Sequence, residues 1–160
     1  MKIAIISDTH DNIETLKKTL NFIKKEKIKV VLHCGDVSDQ NLLKEALSDY
    51  SGKIYLSKGN CDIGGFEKVP KIKVFEEYGE IKSGTKKIAF CHFPKIAESL
   101  AASGKYDVVF YGHTHKPWIV KTGNTILANP GNLAGVFYKA TFAIYDIKTG
   151  NLELKILERI

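Results

Sequence analysis

Only three cysteines occur in the 160 residues, Cys34, Cys61 and Cys91. Their number is odd and no two stand in C-x-x-C spacing, which argues against a disulfide framework and against a thiolate zinc site. Long apolar runs are missing too: none approaches the roughly 20 residues of a membrane helix. At the N-terminus, Lys2 precedes only Ile3–Ile6 before polar Ser7-Asp8, too short for a signal-peptide core. The expected location is therefore the cytoplasm, with no membrane partner. There are four prolines and no linker, low-complexity stretch or internal repeat, so a single domain over residues 1–160 is expected. Acid is in deficit, 18 Asp+Glu against 24 Lys+Arg, giving a net charge of +6. The lysines gather as Lys17-Lys18 and Lys24-Lys25-Glu26-Lys27, the wet side of an amphipathic helix, so nucleic acid is not favoured as a partner on charge alone. A homo-oligomer stays open.

What is present is a succession of short apolar runs and helical patterns. Ile3–Ile6 reads as a buried strand. The helix after it is expected to be capped by Asp11, with Glu14 three residues on closing a capping box. Ile13, Leu16, Leu20 and Ile23 recur there at helical spacing. Val30–Cys34 is a second strand, residues 41–47 a helix and Ile54–Leu56 a third strand, a β-α-β-α-β order that predicts a parallel sheet. Ile72–Phe75 and the segment around Ile81 are shorter, and Ser83-Gly84 turns into Lys87–Cys91. Pro94 suits the first turn of a helix that buries Ile96, Ala97, Leu100 and Ala101 and stops at Gly104. After the strand Val108–Tyr111 the pattern turns antiparallel. Trp118–Val120 and Ile126–Ala128 flank Gly123-Asn124, and Phe142–Tyr145 and Leu152–Ile156 flank Thr149-Gly150-Asn151. Two sheets face to face with helices outside are expected.

Open α/β sheets bind ligands beyond the carboxyl ends of their strands. Five of these strands end in Asp8-Thr9-His10, Gly35-Asp36, Gly59-Asn60, His92 and Gly112-His113-Thr114-His115. Singly, each has an ordinary reading as a cap, a turn or a satisfied histidine. Jointly they offer two carboxylates, one amide oxygen and four imidazoles at corresponding places. Gly112 is expected to supply the sharp turn that aims His113 and His115 together. Seven such donors suit two metals sharing a bridging carboxylate, about 3.5–4 Å apart, which clamp the attacking and leaving oxygens of a phosphoryl displacement. Oxygen and nitrogen donors favour Mn, Fe, Co, Ni or Zn. His33 lies within an apolar run and is expected to pack in the core or support a ligand.

Asp8-x-His10, Gly35-Asp36, Gly59-Asn60-x-Asp62, His92 and Gly112-His113-x-His115 resemble the calcineurin-like metallophosphoesterase family. Length and spacing are similar to its small YfcE-like phosphodiesterase branch. The resemblance implies a four-layer α/β/β/α sandwich of two mixed sheets. It also implies that Asp8, His10 and His115 hold one metal, that Asn60, His92 and His113 hold the other, and that Asp36 bridges them. Attack by a metal-bridging hydroxide on a small phosphodiester would follow, with manganese the first expectation among the metals. Asn60 would serve catalysis and substrate binding as well, and Asn12 is a further candidate substrate contact.

Two positions depart from the family pattern. Cys61 stands where many larger members place a histidine that protonates the leaving oxygen, so it is a candidate catalytic donor, and a poor one, since a thiol's ordinary pKa is about 8.5. Phe93-Pro94 replaces the Gly-His that often follows the ligand histidine. Asn129-Pro130-Gly131-Asn132 resembles another family loop near the metals but reads as a plain turn. The alternatives are a non-catalytic interaction scaffold, like a retromer subunit that shares this resemblance, and a nuclease or phosphomonoesterase.

Overall fold

A computed structural model describes residues 1–160. The short apolar runs become the strands of two mixed sheets. In the first, β1 (Lys2–Ile6), β2 (Val30–His33), β3 (Lys53–Ser57) and β4 (Ile72–Phe75) run parallel. The second contains β5 (Tyr78–Ser83), β6 (Lys86–Cys91), β7 (Val108–Phe110), β8 (Trp118–Thr122) and β9 (Thr125–Asn129). The chain then returns to the first sheet with β10 (Thr141–Asp146) and β11 (Leu152–Ile156), both antiparallel to their neighbours. The orders are β11-β10-β1-β2-β3-β4 and β5-β6-β7-β9-β8. β6, β7 and β9 are mutually parallel, with β5 and β8 as antiparallel edges.

The period-two geometry of a strand explains why β1 is apolar at every inner position. Ile3 and Ile5 face the second sheet and pack with its Phe90 and Phe110, together with Tyr145 of β10, whereas Ala4 and Ile6 face the helices. On that helical side α1 (Ile13–Lys25) buries Leu16, Leu20 and Ile23, and α2 (Gln40–Ala46) buries Leu43 and Ala46. α3 (Pro94–Ala102) covers the outer face of the second sheet with Ala97 and Ala101 against Val109 and Leu127. The layers are thus α/β/β/α, as the resemblance implies.

Three local expectations change. The cap of α1 is Asn12, whose Oδ1 accepts the Thr15 N–H at 3.2 Å. Asp11 stands in the left-handed region (φ +60°) and spends its carboxylate on the Asp39 N–H, at 2.7 Å. The strand expected to reach Tyr111 ends at Phe110, although the Tyr111 N–H still donates to Ala128 O (3.0 Å) and the Gly112 N–H to His92 O (3.1 Å). β2 likewise stops at His33, one residue early.

Candidate metal centre

The carboxyl ends of β1, β2, β3, β6 and β7 meet at one edge of the sandwich, and their loops are laced together by backbone hydrogen bonds. The Asp8 N–H donates to Gly35 O (2.9 Å), and the Thr9 N–H to Asp36 O (2.9 Å). From the far segment, the Leu133 N–H donates to Ser7 O (2.9 Å). Five of the seven ligands expected from sequence (Asp8, His10, Asp36, His113 and His115) hold positive φ, between +40° and +69°. Such a concentration of strained backbone is characteristic of a functional site.

All seven converge. His10 Nε2 lies 3.1 Å from His115 Nε2, and the two stand 3.9 and 3.4 Å from Asp8 Oδ1. At the other end, His92 Nε2 is 3.1 Å from Asn60 Oδ1 and 3.1 Å from His113 Nδ1. Asp36 Oδ2 sits between the two groups, 3.8 Å from His10 Nε2 and 3.5 Å from His92 Nε2. His113 thus turns its Nδ1 inward, while the other three histidines present Nε2.

The electrostatics suit a cation. Asp8 and Asp36 are buried, and their only ion-pair partners are imidazoles. Burying carboxylates without Lys or Arg is costly unless a positive charge joins them. Burial pushes Asp8 up to about 7; a hydrogen bond from Ser7 opposes this and the Asp36 charge adds to it. Burial also lowers His92 and His115, favouring the neutral rings that bind metals. Oxygen and imidazole donors in this mixture fit divalent transition metals.

Several supporting residues escape a reading of sequence. Asp62 is quoted in the Gly59-Asn60-x-Asp62 motif without a role of its own. Its Oδ2 accepts the N–H groups of Asp36 and Gly59, both at 2.8 Å, and its Oδ1 those of Val37 (2.7 Å) and Ser38 (3.0 Å). One carboxylate therefore fixes the loops that carry Asp36 and Asn60. The 129–132 segment is more than a turn. Asn129 Nδ2 donates to Gly112 O (2.9 Å) and Thr114 Oγ1 (3.0 Å), and Asn132 Nδ2 to His115 O (3.2 Å). The signal was the pair of asparagines bracketing Pro130-Gly131.

Other expected residues have definite places. His33 is wholly buried; its Nδ1 accepts the Gly35 N–H, leaving Nε2–H for Thr9 Oγ1 at 3.2 Å, and burial lowers it to about 4. It is thus a neutral support, not a ligand. Asn12 Nδ2 donates to Ala134 O (3.1 Å), so both ends of that amide bond the chain's own backbone. The Cys61 N–H donates to Asp36 Oδ1 (2.9 Å), and its thiol lies among His10 and Asp36. Gly112 has no positive φ; what demands glycine is close approach, since a Cβ there would meet Ser7 Oγ, and Asp8 Oδ2 at 2.8 Å. An apolar cavity of about 330 Å³, lined by Phe110, Trp118, Ile119, Leu152 and Leu154 among others and reaching Asn129 and Pro130, holds no acid, base or nucleophile, so it offers no chemistry of its own.

Comparison with known proteins agrees with this geometry. Residues 1–150 match the family model described as the calcineurin-like phosphoesterase superfamily domain. The phosphodiesterase MJ0936 of Methanocaldococcus jannaschii is 29% identical over 143 residues, covering 84% of this chain and 86% of the relative. The phosphodiesterase YfcE of Escherichia coli is 23% identical over 147 residues, covering 84% and 80%. Among solved structures, one described as a novel archaeal phosphodiesterase superposes with a TM-score of 0.88 at 26% identity, covering 98% of this chain and 99% of that one. Vps29 of Entamoeba histolytica, solved in complex with zinc, shares the fold at a TM-score of 0.71 and 18% identity, covering 97% of each chain.

Proposed function

Since this chain belongs to the calcineurin-like phosphoesterase superfamily, we propose that it is a phosphodiesterase that works with two divalent transition-metal ions, manganese foremost. Asp8, His10 and His115 would hold one ion, Asn60, His92 and His113 the other, and Asp36 would serve both. The observation that carries this reading is Asp36 Oδ2, flanked by His10 Nε2 at 3.8 Å and His92 Nε2 at 3.5 Å, one ring from each group. When bound, a divalent pair supplies Lewis-acid stabilisation of the phosphoryl oxygens and lowers the pKa of the attacking water.

The chain's own residues do the rest. Asp8 gives up its proton as the site fills. Asn60 offers its Oδ1 beside His92 and keeps an amide N–H₂ on the Cys61 side, 3.4 Å from Sγ, at the mouth of the site. The Cys61 thiol, raised by burial and by the Asp36 charge, stays neutral and is a weak donor to the leaving oxygen. Support for a diester over a monoester comes from the relatives' names. No helix is long and apolar enough to cross a membrane, and three free cysteines suit the reducing cytoplasm.

The test is to strip the protein with chelator, add Mn²⁺, and follow metal uptake together with turnover of bis(p-nitrophenyl) phosphate. Uptake of two equivalents with metal-dependent turnover is expected. The competing scaffold reading draws on the fold shared with Vps29 and on Cys61 and Phe93 at family positions; no uptake and no turnover would select it. Faster cleavage of a monoester, or of single-stranded DNA, would select those activities instead.

A further inference from the structure

Two phenylalanines flank the imidazole cluster. The Phe93 ring centroid lies 4.9 Å from that of His92 and 5.3 Å from that of His113. Phe137 stands at the opposite end, its centroid 6.1 Å from that of His115. Both are open to solvent, Phe93 at 37% and Phe137 at 89%. Phe137 is also the one Phe, Tyr or Trp in the left-handed region, at φ +64°. That conformation is strained for a bulky side chain, and a ring left in water forgoes the stabilisation that burial gives.

The backbone that carries the rings is nonetheless held in place. The Val136 N–H donates to the buried Asn132 side chain (2.9 Å), and Asn12 Nδ2 donates to Ala134 O (3.1 Å), so the loop presenting Phe137 is fixed from two sides. Pro94 confines Phe93 to extended backbone (φ −85°, ψ 134°), and the Phe93 carbonyl accepts the Ala97 N–H of α3 at 3.1 Å. Thr114, between the two histidines of the β7 loop, also lines a groove of about 300 Å³ with Tyr111, Lys116, Trp118 and Tyr138, so aromatic surface continues beside the cluster.

We propose that Phe93 and Phe137 are specificity-determining residues that stack the flat aromatic arms of a phosphodiester, nucleobases above all, while its phosphoryl group sits over the carboxylate and imidazole cluster. Every base has a π-face, and stacking on exposed aromatic side chains is tolerant of base identity. Two rings match the two arms of a diester, whereas a monoester fills only one. The proposal rests on reading the cluster as a phosphoester site.

A binding measurement tests it independently of turnover. Thymidine 5′-monophosphate and methyl phosphate, equal in charge, are titrated calorimetrically into the Mn²⁺-supplied protein and into F137A and F93A. The nucleotide is expected to bind roughly 5- to 150-fold more tightly than methyl phosphate, the range that stacking of one base supports. At least one variant should lose most of that advantage, and F137W should restore it where F137A removes it. Phenyl phosphate separates the sources: an equal gain assigns any flat ring, and a gain confined to the nucleotide assigns the base. Equal affinities in the wild type, or an advantage undiminished in both variants, would overturn the proposal. Turnover of thymidine 5′-(p-nitrophenyl phosphate) is then compared with that of methyl p-nitrophenyl phosphate. Stacking-dependent binding without turnover of either would sink the hydrolase reading and leave this one standing.

Discussion

At Asp62 a single carboxylate accepts four backbone N–H groups from the two loops that carry Asp36 and Asn60. Asp62→Asn keeps one accepting oxygen and turns an N–H₂ against two N–H donors. Loss of such a support costs about 10–100-fold in metal affinity, and competition against a chelator reads it; unchanged affinity would show that the loops hold without it. Asp8 sets the pH dependence. Its folded value of about 7 lies above the ordinary 3.8, so in the metal-free protein its contribution to stability is present at acid pH and lost as pH rises through 7. Metal takes that proton's place. Mn²⁺ affinity should therefore fall at least roughly tenfold per pH unit below 7, and equal affinity at pH 6 and pH 8 would contradict this. His33 runs the opposite way: with its value lowered to about 4, its contribution is present above its ordinary 6.5 and lost as pH falls toward 4. Because Cys61 is a neutral thiol, aryl esters should outpace alkyl esters. Cys61→His should speed alkyl esters selectively, by about 100-fold, the low end of general-acid help; wild-type rates equal across leaving groups would refute the weak-donor role. The convergence of the seven candidate ligands was legible because they close apolar runs. The roles of Asp62, Asn129 and Asn132 were not, although their motifs stood out, because a side chain that serves backbone N–H or carbonyl groups of a distant loop leaves no periodicity.

Among the elements, α1 shows where pattern suffices and where it fails. Leu16, Leu20 and Ile23 face inward as their spacing requires. The cap fell one residue from its expected place, because Asp11 sits at φ +60° and bonds across to Asp39, a long-range choice invisible in a local motif. Asn12→Ala removes both the cap and the bond to Ala134. A loss of about 1 kcal/mol in unfolding free energy is expected from the cap, read by denaturant titration. Should kcat/KM fall far more than this loss of stability explains, Asn12 would act on the substrate, either directly or through the Ala134 loop that carries Phe137. The edges followed their sequence less well than the centre. β8 exposes Trp118, Ile119 and Val120, and apolarity alone would have buried them.

Across the whole molecule, the parallel strands of two separate sheets must end at one edge for donors from residues 8 to 115 to meet. The β-α-β-α-β start announced the first sheet, and the antiparallel end of the chain the closing strands. That β10 would cross back to lie beside β1 carries no local signal; it follows from burying Ile3 and Ile5 between the sheets. This crossing also sets the residue 129–140 segment beside the histidines, through Asn132 and the His115 carbonyl. The most direct measurement is anomalous scattering from crystals grown with Mn²⁺ and without chelator. Two peaks about 3.5–4 Å apart, with an Asp36 oxygen between them, are predicted. A single peak, none, or a pair that Asp36 does not touch would contradict a shared two-metal centre.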